Sequence, residues 1–373
     1  MKILYYIHAL YVGGAETLIT KYLINLNNSE NEVVLVVNNE EDSFLTQELI
    51  NAGIKIISLN KHKRSFLFKY VELAFRSIFG YSRKWRKIYK EEKPDIVHIH
   101  THCDAFEICK TKPERVFFSF HSDVERSLSM GSKKNFRKLC KYAQKGITFV
   151  ALNRNMVSDI KEKFKTDKII YIPNAIDLAN IRSNRYKRES FLKIYDLPDD
   201  SFLVGHVGRF HPVKNHKKLF SVFYEVHKRC PSARLILVGT GSSQEIEYIE
   251  SLKEKYNLSD VTLMLGLRHD ASALMSVFDT FVLTSTSESF SLVLLEAQAQ
   301  GVRCITSNVV PSEVICENCF PLDLNQSDEV WADEILSNKT NHSNNIIEQF
   351  DISVVMKKML DYYTDAAKKY DKD

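Results

Sequence analysis

Short runs of β-branched and aromatic residues alternate along the chain with longer stretches whose apolar positions recur at helical spacing. In the first half the strand-like runs are Lys2–His8, Glu32–Val37, Ile54–Leu59, Ile96–His100, Arg115–Ser119, Ile147–Leu152 and Ile169–Ile172. Helical patterns such as Ala15–Leu26 and Asp42–Ala52 lie between them. Apolar strands separated by amphipathic helices predict a parallel sheet covered on both faces. Pro173-Asn174 interrupts the alternation, and a charged helical stretch, Asn184–Asp196, leads into a second series. Its strands are predicted at Phe202–Val207, Arg234–Val238, Val261–Leu265, Thr280–Leu283 and Cys304–Thr306. Two doubly wound α/β domains are therefore expected, over 1–175 and 176–351, without a residue-level repeat. Ile352–Tyr370 reads as one closing amphipathic helix.

Length and composition agree with two domains. The chain has 373 residues, 44% of them apolar, and single cores stop growing near about 250–300 residues. Its 22 Phe and 17 Tyr argue against disorder. No apolar run approaches the ~18 residues of a membrane span. Lys2–Val12 is broken by His8 and followed by Gly13-Gly14-Ala15-Glu16, with no small-residue cleavage site, so it reads as a first strand. A soluble, cytoplasmic-type chain is expected. With 51 basic against 47 acidic residues the net charge is +4, which is no bulk footprint for nucleic acid. The seven cysteines are odd in number and are expected to be reduced. Cys316-x-x-Cys319 lacks the second close pair of a zinc site, Cys103 and Cys109 being too widely spaced, so structural thiols are expected.

Twelve glycines is few for this length, against a usual share of about 7%. Gly13, Gly14, Gly205, Gly208, Gly239, Gly241, Gly266 and Gly301 fall at strand ends or turns, where backbone conformation or a close ligand demands them. Open α/β sheets bind ligands beyond the carboxyl ends of their strands. There the sequence places Gly13-Gly14, His121, Gly208-Arg209, Gly239-Thr240-Gly241 and Ser285–Phe290. Polar and glycine residues thus gather at one edge of both predicted sheets, and two domains facing across a cleft are the simplest geometry.

The most informative segment runs from Ser285 to Gly301. A strand exits into a serine-rich turn, and a helix then ends near Gly301, a natural residue just past a helix end. Free backbone N–H groups at the helix start, around Ser289, Phe290, Ser291 and Leu292, together with the helix dipole form an anion site suited to phosphate. Glu288 and Glu296 are awkward beside a phosphate, and accepting hydrogen bonds from sugar or ribose hydroxyls is their natural task. Apolar Leu292–Leu295 and small Ala297 and Ala299 around Glu296 point to a buried helix rather than a solvated face.

The Glu288-x7-Glu296 spacing resembles the E-x7-E motif of the retaining GT-B glycosyltransferases of family 4, and the resemblance covers nearly the whole chain. Gly13-Gly14-Ala15-Glu16 is similar to that family's N-terminal glycine turn at the donor diphosphate. Asp95-Ile-Val-His-Ile-His100 and Pro173-Asn174-Ala175-Ile176-Asp177 match recurrent family segments. Gly208-Arg209-Phe210 with Lys214-Asn215 resembles the Arg/Lys pair that grips the diphosphate, and Gly266-Leu267-Arg268 the stretch that receives the nucleotide base. The resemblance implies that Glu296 accepts from the ribose, that Glu288 contacts the transferred sugar, and that His121 touches that sugar near its 6-position. It also implies a last helix crossing back onto the first domain. Departures are Ser289 and Ser291, where the family commonly has glycine, and Ala175 in place of the Pro-Asn-Gly glycine.

The same resemblance implies a mechanism. A leaving phosphate oxygen assists the incoming hydroxyl on the same face, so neither a protein nucleophile nor a metal or other cofactor is required. The protein's share is orientation and stabilisation of diphosphate charge, with domain closure bringing His121 and Gly13-Gly14 onto a donor held by the second domain.

Other signals are weaker. Gly239-Thr240-Gly241-Ser242-Ser243-Gln244 ends in Gln, which makes a poor dinucleotide fingerprint. His98, His100 and His102 alternate on one strand face, and a strand ending in a cleft wall accounts for them better than a metal does. Lys61–Lys90 is strongly basic, with Glu72 its lone acid and aromatics interleaved. Such a stretch can cover a sheet with snorkelling side chains and also dock on anionic lipid headgroups. The expected activity is transfer from a nucleotide-sugar, a UDP-sugar, to a glycan or undecaprenyl-linked acceptor in capsule, exopolysaccharide or lipopolysaccharide assembly. A catalytically silent, glycan-binding partner and a nucleotide-sugar epimerase are the alternatives.

Overall fold

The computed structural model describes residues 1–10, 14–28, 30–39, 43–60, 82–100, 112–121, 123–129, 133–340 and 346–369. Gly13, His102, Cys103, Cys109 and the segment 61–81 of the basic stretch lie outside them. The first sheet comprises β1 (Lys2–Ile7), β2 (Glu32–Asn39), β3 (Lys55–Asn60), β4 (Ile96–His100), β5 (Val116–Ser119), β6 (Thr148–Ala151) and β7 (Ile169–Tyr171). Its order is β3-β2-β1-β4-β5-β6-β7. The second comprises β8 (Phe202–Val207), β9 (Ala233–Val238), β10 (Thr262–Met264), β11 (Thr280–Leu283), β12 (Arg303–Ser307) and β13 (Cys319–Leu322), in the order β10-β9-β8-β11-β12-β13. All the pairings are parallel.

The central strands are apolar on both faces because helices cover both. Ile3 through Ile7 of β1 are buried, and Leu4 sits between Val34 and Val97 in the ladder. In the second sheet Val204, Leu235, Leu237, Val282 and Ile305 meet Leu219, Phe220, Phe223 and Trp331 in one core. Chain order reverses at β1/β4 and at β8/β11, and such switch points open ligand crevices at the strands' carboxyl ends.

The chain forms two compact units, Met1–Asn174 with Ile352–Asp373, and Ala175–Asp351. The final helix, Ile352–Lys369, belongs to the first unit, where Tyr363 is fully buried and shares a 2.8 Å hydrogen bond with Tyr5. Among the described residues no helix is long and apolar enough to cross a membrane.

The sequence reading lacks β13. Pro321 lies within it, and proline demotes a run as a strand candidate, but β13 is the outermost strand of its sheet, where proline is tolerated. Cys319 starts this strand, paired with Cys304 on β12. Cys304, Cys316 and Cys319 are buried thiols outside any disulfide. Burial pushes the Cys316 thiol up to about 12 and raises the other two well above the usual thiol range, so none is a ready thiolate.

Candidate active site

In the second unit, the turns after β8, β9 and β10 lie against one another. Gly208 N–H donates to Val238 O at 2.9 Å, Gly239 N–H to Gly266 O at 2.9 Å and Phe210 N–H to Thr240 O at 2.8 Å. A Cβ on Gly239 would stand 1.9 Å from Gly208 O, and one on Gly241 2.7 Å from Phe210 O. Neighbouring backbone therefore already requires both glycines, so their placement is not by itself a sign of ligand contact.

The β8 turn is also stitched to the β11 turn. Thr286 N–H donates to Val213 O at 2.8 Å, and Thr284 Oγ1 donates to the carbonyls of Lys214 and Asn215, each at 3.1 Å. Asn215 takes a left-handed φ of 52° and its side chain caps the helix His216–Arg229. These bonds deliver Lys214 to Glu288: Nζ lies 2.6 Å from Oε1, and Ser285 Oγ donates to the same oxygen at 2.6 Å. The two side chains are only 16% and 10% exposed, which makes the pair stronger than a surface ion pair. Arg209, on the same loop, is exposed.

The helix Leu292–Ala299 begins two residues after buried Phe290, whose ring sits edge-on to Phe350 at 5.6 Å. Ser291 precedes the helix with φ 67°, a left-handed conformation that favours glycine. Its Oγ is buried and has no hydrogen-bond partner among the described residues. Ser289 and Glu296 are half-buried, and Leu292 opens the helix.

Beneath the loop lie two histidines the sequence reading passed over. His206 donates Nδ1–H to Val282 O at 2.9 Å, and its ring is 5.1 Å from His216. Burial holds both neutral, His206 down at about 3 and His216 at about 4. A cavity of 420 Å³ opens beside them between Phe210–Lys217 and the helix Ser243–Lys255, with Glu245, Tyr248 and Ile249 on the helix side. Neither Glu288 nor Glu296 lines it.

Arg268 is engaged differently from the expectation. Its guanidinium forms a two-pronged pair with Asp270 at 2.8 and 2.7 Å and bonds Tyr186 Oη at 3.1 Å. Arg268 holds the Asp270 carboxyl down at about 2. The side chain thus braces its own turn, while Gly266, Leu267 and His269 around it are exposed.

In the first unit, Gly14 opens the helix Gly14–Leu26 after β1. His121 follows β5, its Nε2 2.7 Å from His100 Nδ1. His98 bonds Tyr363 Oη through Nδ1 at 2.5 Å and Ser119 Oγ through Nε2 at 2.7 Å. Burial keeps His121 neutral, at about 4, and holds His98 and His100 well below the usual histidine range. The strand histidines thus serve a hydrogen-bonded core. Among the described residues no group of three or more His, Cys, Asp and Glu is arranged to hold a metal ion.

Comparison with known proteins gives the family. Residues 187–347 match the group 1 glycosyl transferases and residues 12–180 glycosyltransferase family 4. The chain is 30% identical over 310 residues to the UDP-Gal:α-D-GlcNAc-diphosphoundecaprenol α-1,3-galactosyltransferase of Escherichia coli, covering 75% of this chain and 77% of the relative. It is 24% identical over 389 residues to the capsular polysaccharide biosynthesis glycosyltransferase CapH of Staphylococcus aureus, covering 97% and 98%. Anabaena HepE, solved with UDP and glucose, superposes with a TM-score of 0.76 at 16% identity over 98% of this chain and 99% of that one, which establishes the shared fold. The chain belongs to the glycosyltransferases of group 1 and family 4 and is a transferase.

Proposed function

We propose that the protein transfers a sugar from a UDP-sugar, with retention of configuration, to a lipid-linked glycan acceptor in surface-polysaccharide assembly. The observation that carries this reading is the Lys214–Glu288 contact of 2.6 Å, set between a glycine turn and a helix N-terminus. A partly buried cation, an exposed arginine and free helix N–H groups together answer a diphosphate, and the adjoining carboxylate answers hydroxyls. The E. coli relative, which by its name uses UDP-Gal and a diphosphoundecaprenol acceptor, supports the choice of donor and acceptor class.

Arg209, Lys214 and the N–H groups at Leu292 stabilise charge on the departing UDP. Glu296 holds the ribose and Glu288 the transferred sugar, and the role assigned to His121 is a contact to that sugar. No protein group forms a covalent intermediate and no metal is needed: the leaving phosphate oxygen takes the proton of the attacking hydroxyl as the new glycosidic bond forms on the same face.

The helix Ser82–Glu92 bears exposed Lys84, Arg86, Lys87 and Lys90, but Trp85 and Ile88 are buried. Its apolar face is spent on the core, so its contact with an anionic membrane surface is electrostatic and peripheral, about 1 kcal/mol per well-placed cation.

Incubating the protein with UDP-, GDP- and ADP-sugars and a lipid-diphosphate-linked acceptor tests the reading. Product formed only from a UDP-sugar, with the donor's anomeric configuration by NMR, supports it. Inverted product refutes retention. Turnover without acceptor favours an epimerase, and UDP binding without turnover favours a silent partner.

A further inference from the structure

Glu288 receives two donors on one oxygen. Lys214 Nζ and Ser285 Oγ each lie 2.6 Å from Oε1, while Oε2 has no hydrogen-bond partner among the described residues. Thr284 and Thr286 tie the backbone of Val213, Lys214 and Asn215 to the turn that carries Glu288, so the pair is fixed from both sides. An anion oxygen in contact with Nζ, at about 2.8 Å, therefore stands no more than about 5.4 Å from Oε1, the sum of the two distances. At that range two negative charges disfavour each other, and the low exposure of both side chains weakens screening by water.

We propose that Glu288 separates the donor from the nucleotide product, so that the intact UDP-sugar is held and UDP is released. The proposal rests on the donor reading given above, which puts the diphosphate at Lys214 and the transferred sugar at Glu288. While the sugar is bound, its hydroxyls donate to the carboxylate, and Oε2 is the oxygen left for them. Once the sugar has moved to the acceptor, two changes fall on the same carboxylate. It loses those hydroxyl donors, and the β-phosphate, an ester of the sugar in the donor, becomes a terminal group with a second ionisation near about pH 6. At pH 7 the product thus carries more negative charge than the donor, within range of Glu288. A glutamine there keeps the shape without the charge, so it relieves UDP more than UDP-sugar.

Isothermal titration calorimetry at pH 7, without acceptor, tests this with UDP and with UDP-galactose, UDP-glucose and UDP-N-acetylglucosamine. Glu288→Gln is expected to bind UDP roughly tenfold tighter than the wild type does, and the best of the three UDP-sugars no tighter. Glu288→Ala, a second removal of the charge, should share the gain for UDP. Glu288→Asp keeps the charge and should bind UDP within about threefold of the wild type. A side chain that merely shaped the turn would lower the affinity for both ligands when replaced, so a gain for UDP alone is the signature of the role. UDP bound no more tightly by Glu288→Gln than by the wild type, or both ligands tightened alike, overturns the proposal and leaves the donor reading intact. Wild-type protein that binds no UDP overturns the donor reading, and the proposal with it.

Discussion

Lys214 Nζ and Glu288 Oε1 lie 2.6 Å apart although 74 residues separate them in the chain. The contact exists because Thr284 and Thr286 bind the backbone of Val213, Lys214 and Asn215, so two strand-end turns move as one. On the function proposed above, a departing diphosphate would meet a cation already held in place, and the cost of ordering a long lysine side chain would fall in folding, not in the reaction.

Removing either partner should separate catalysis from stability. Lys214→Ala leaves the Glu288 carboxylate nearly enclosed and unpaired, and is expected to cost about 1–3 kcal/mol in urea unfolding. It should also lower kcat/KM by about a hundredfold or more. Glu288→Gln keeps the shape and loses the charge, so stability should change by less than in Lys214→Ala while kcat still falls.

Ser291→Gly should stabilise the protein. The substitution removes a non-glycine residue from φ 67° and a buried hydroxyl without a partner among the described residues. A gain of about 1 kcal/mol in chemical denaturation is expected; a loss would mean the hydroxyl holds the turn.

Two glycines should respond differently to alanine. At Gly205 a Cβ would lie 2.0 Å from the Phe278 ring, and at Gly239 it would lie 1.9 Å from the Gly208 carbonyl. Gly205→Ala should be recovered in part by Phe278→Ala in the same chain, because a side chain is what must yield. Gly239→Ala should have no such second-site remedy and should abolish UDP binding, read by calorimetry.

Acid should unfold the protein steeply. His206, His216 and His121 are held neutral, at about 3, 4 and 4, against 6.5 for an ordinary histidine. Below that pH the unfolded chain takes up protons that the fold refuses, so stability is full near neutrality and is lost as pH falls from about 6.5 towards 4. Each such group adds about 1.4 kcal/mol per pH unit to the slope, and His216→Asn should make a plot of unfolding free energy against pH shallower by about that amount.

Tyr363→Phe should cost about 1–3 kcal/mol, since Tyr5 and His98 each lose a fully buried hydrogen-bond partner. Thermal unfolding of the first unit reads this. Equal Tm values would mean that the last helix is held by its apolar face alone.

Much of this architecture was legible because parallel strands buried on both faces leave continuous apolar runs, as Ile3–Ile7 and Phe202–Val207 do. β13 was hidden by Pro321, which only an edge position permits. In the site, Lys214 and Glu288 stood out as charges in the turns after strands and Glu296 as a lone charge inside an apolar helix, and the resemblance supplied their expected roles. What charge and spacing do not encode is which side chain takes which partner. Arg268 is claimed by Asp270 two residues on, and His100, read as a strand residue, turns out to hold His121. Gly239 likewise answers to the Gly208 carbonyl, a contact set by loop packing far along the chain.

The central claim is that the diphosphate of the donor is clamped by Arg209, Lys214 and the start of the helix Leu292–Ala299. A crystal structure of the protein with UDP measures this directly. The account predicts the β-phosphate within hydrogen-bond reach, roughly 3 Å, of the Arg209 and Lys214 side chains, with Glu296 on the ribose hydroxyls. UDP bound with both cations turned away, or with Glu296 facing something other than the nucleotide, would contradict it.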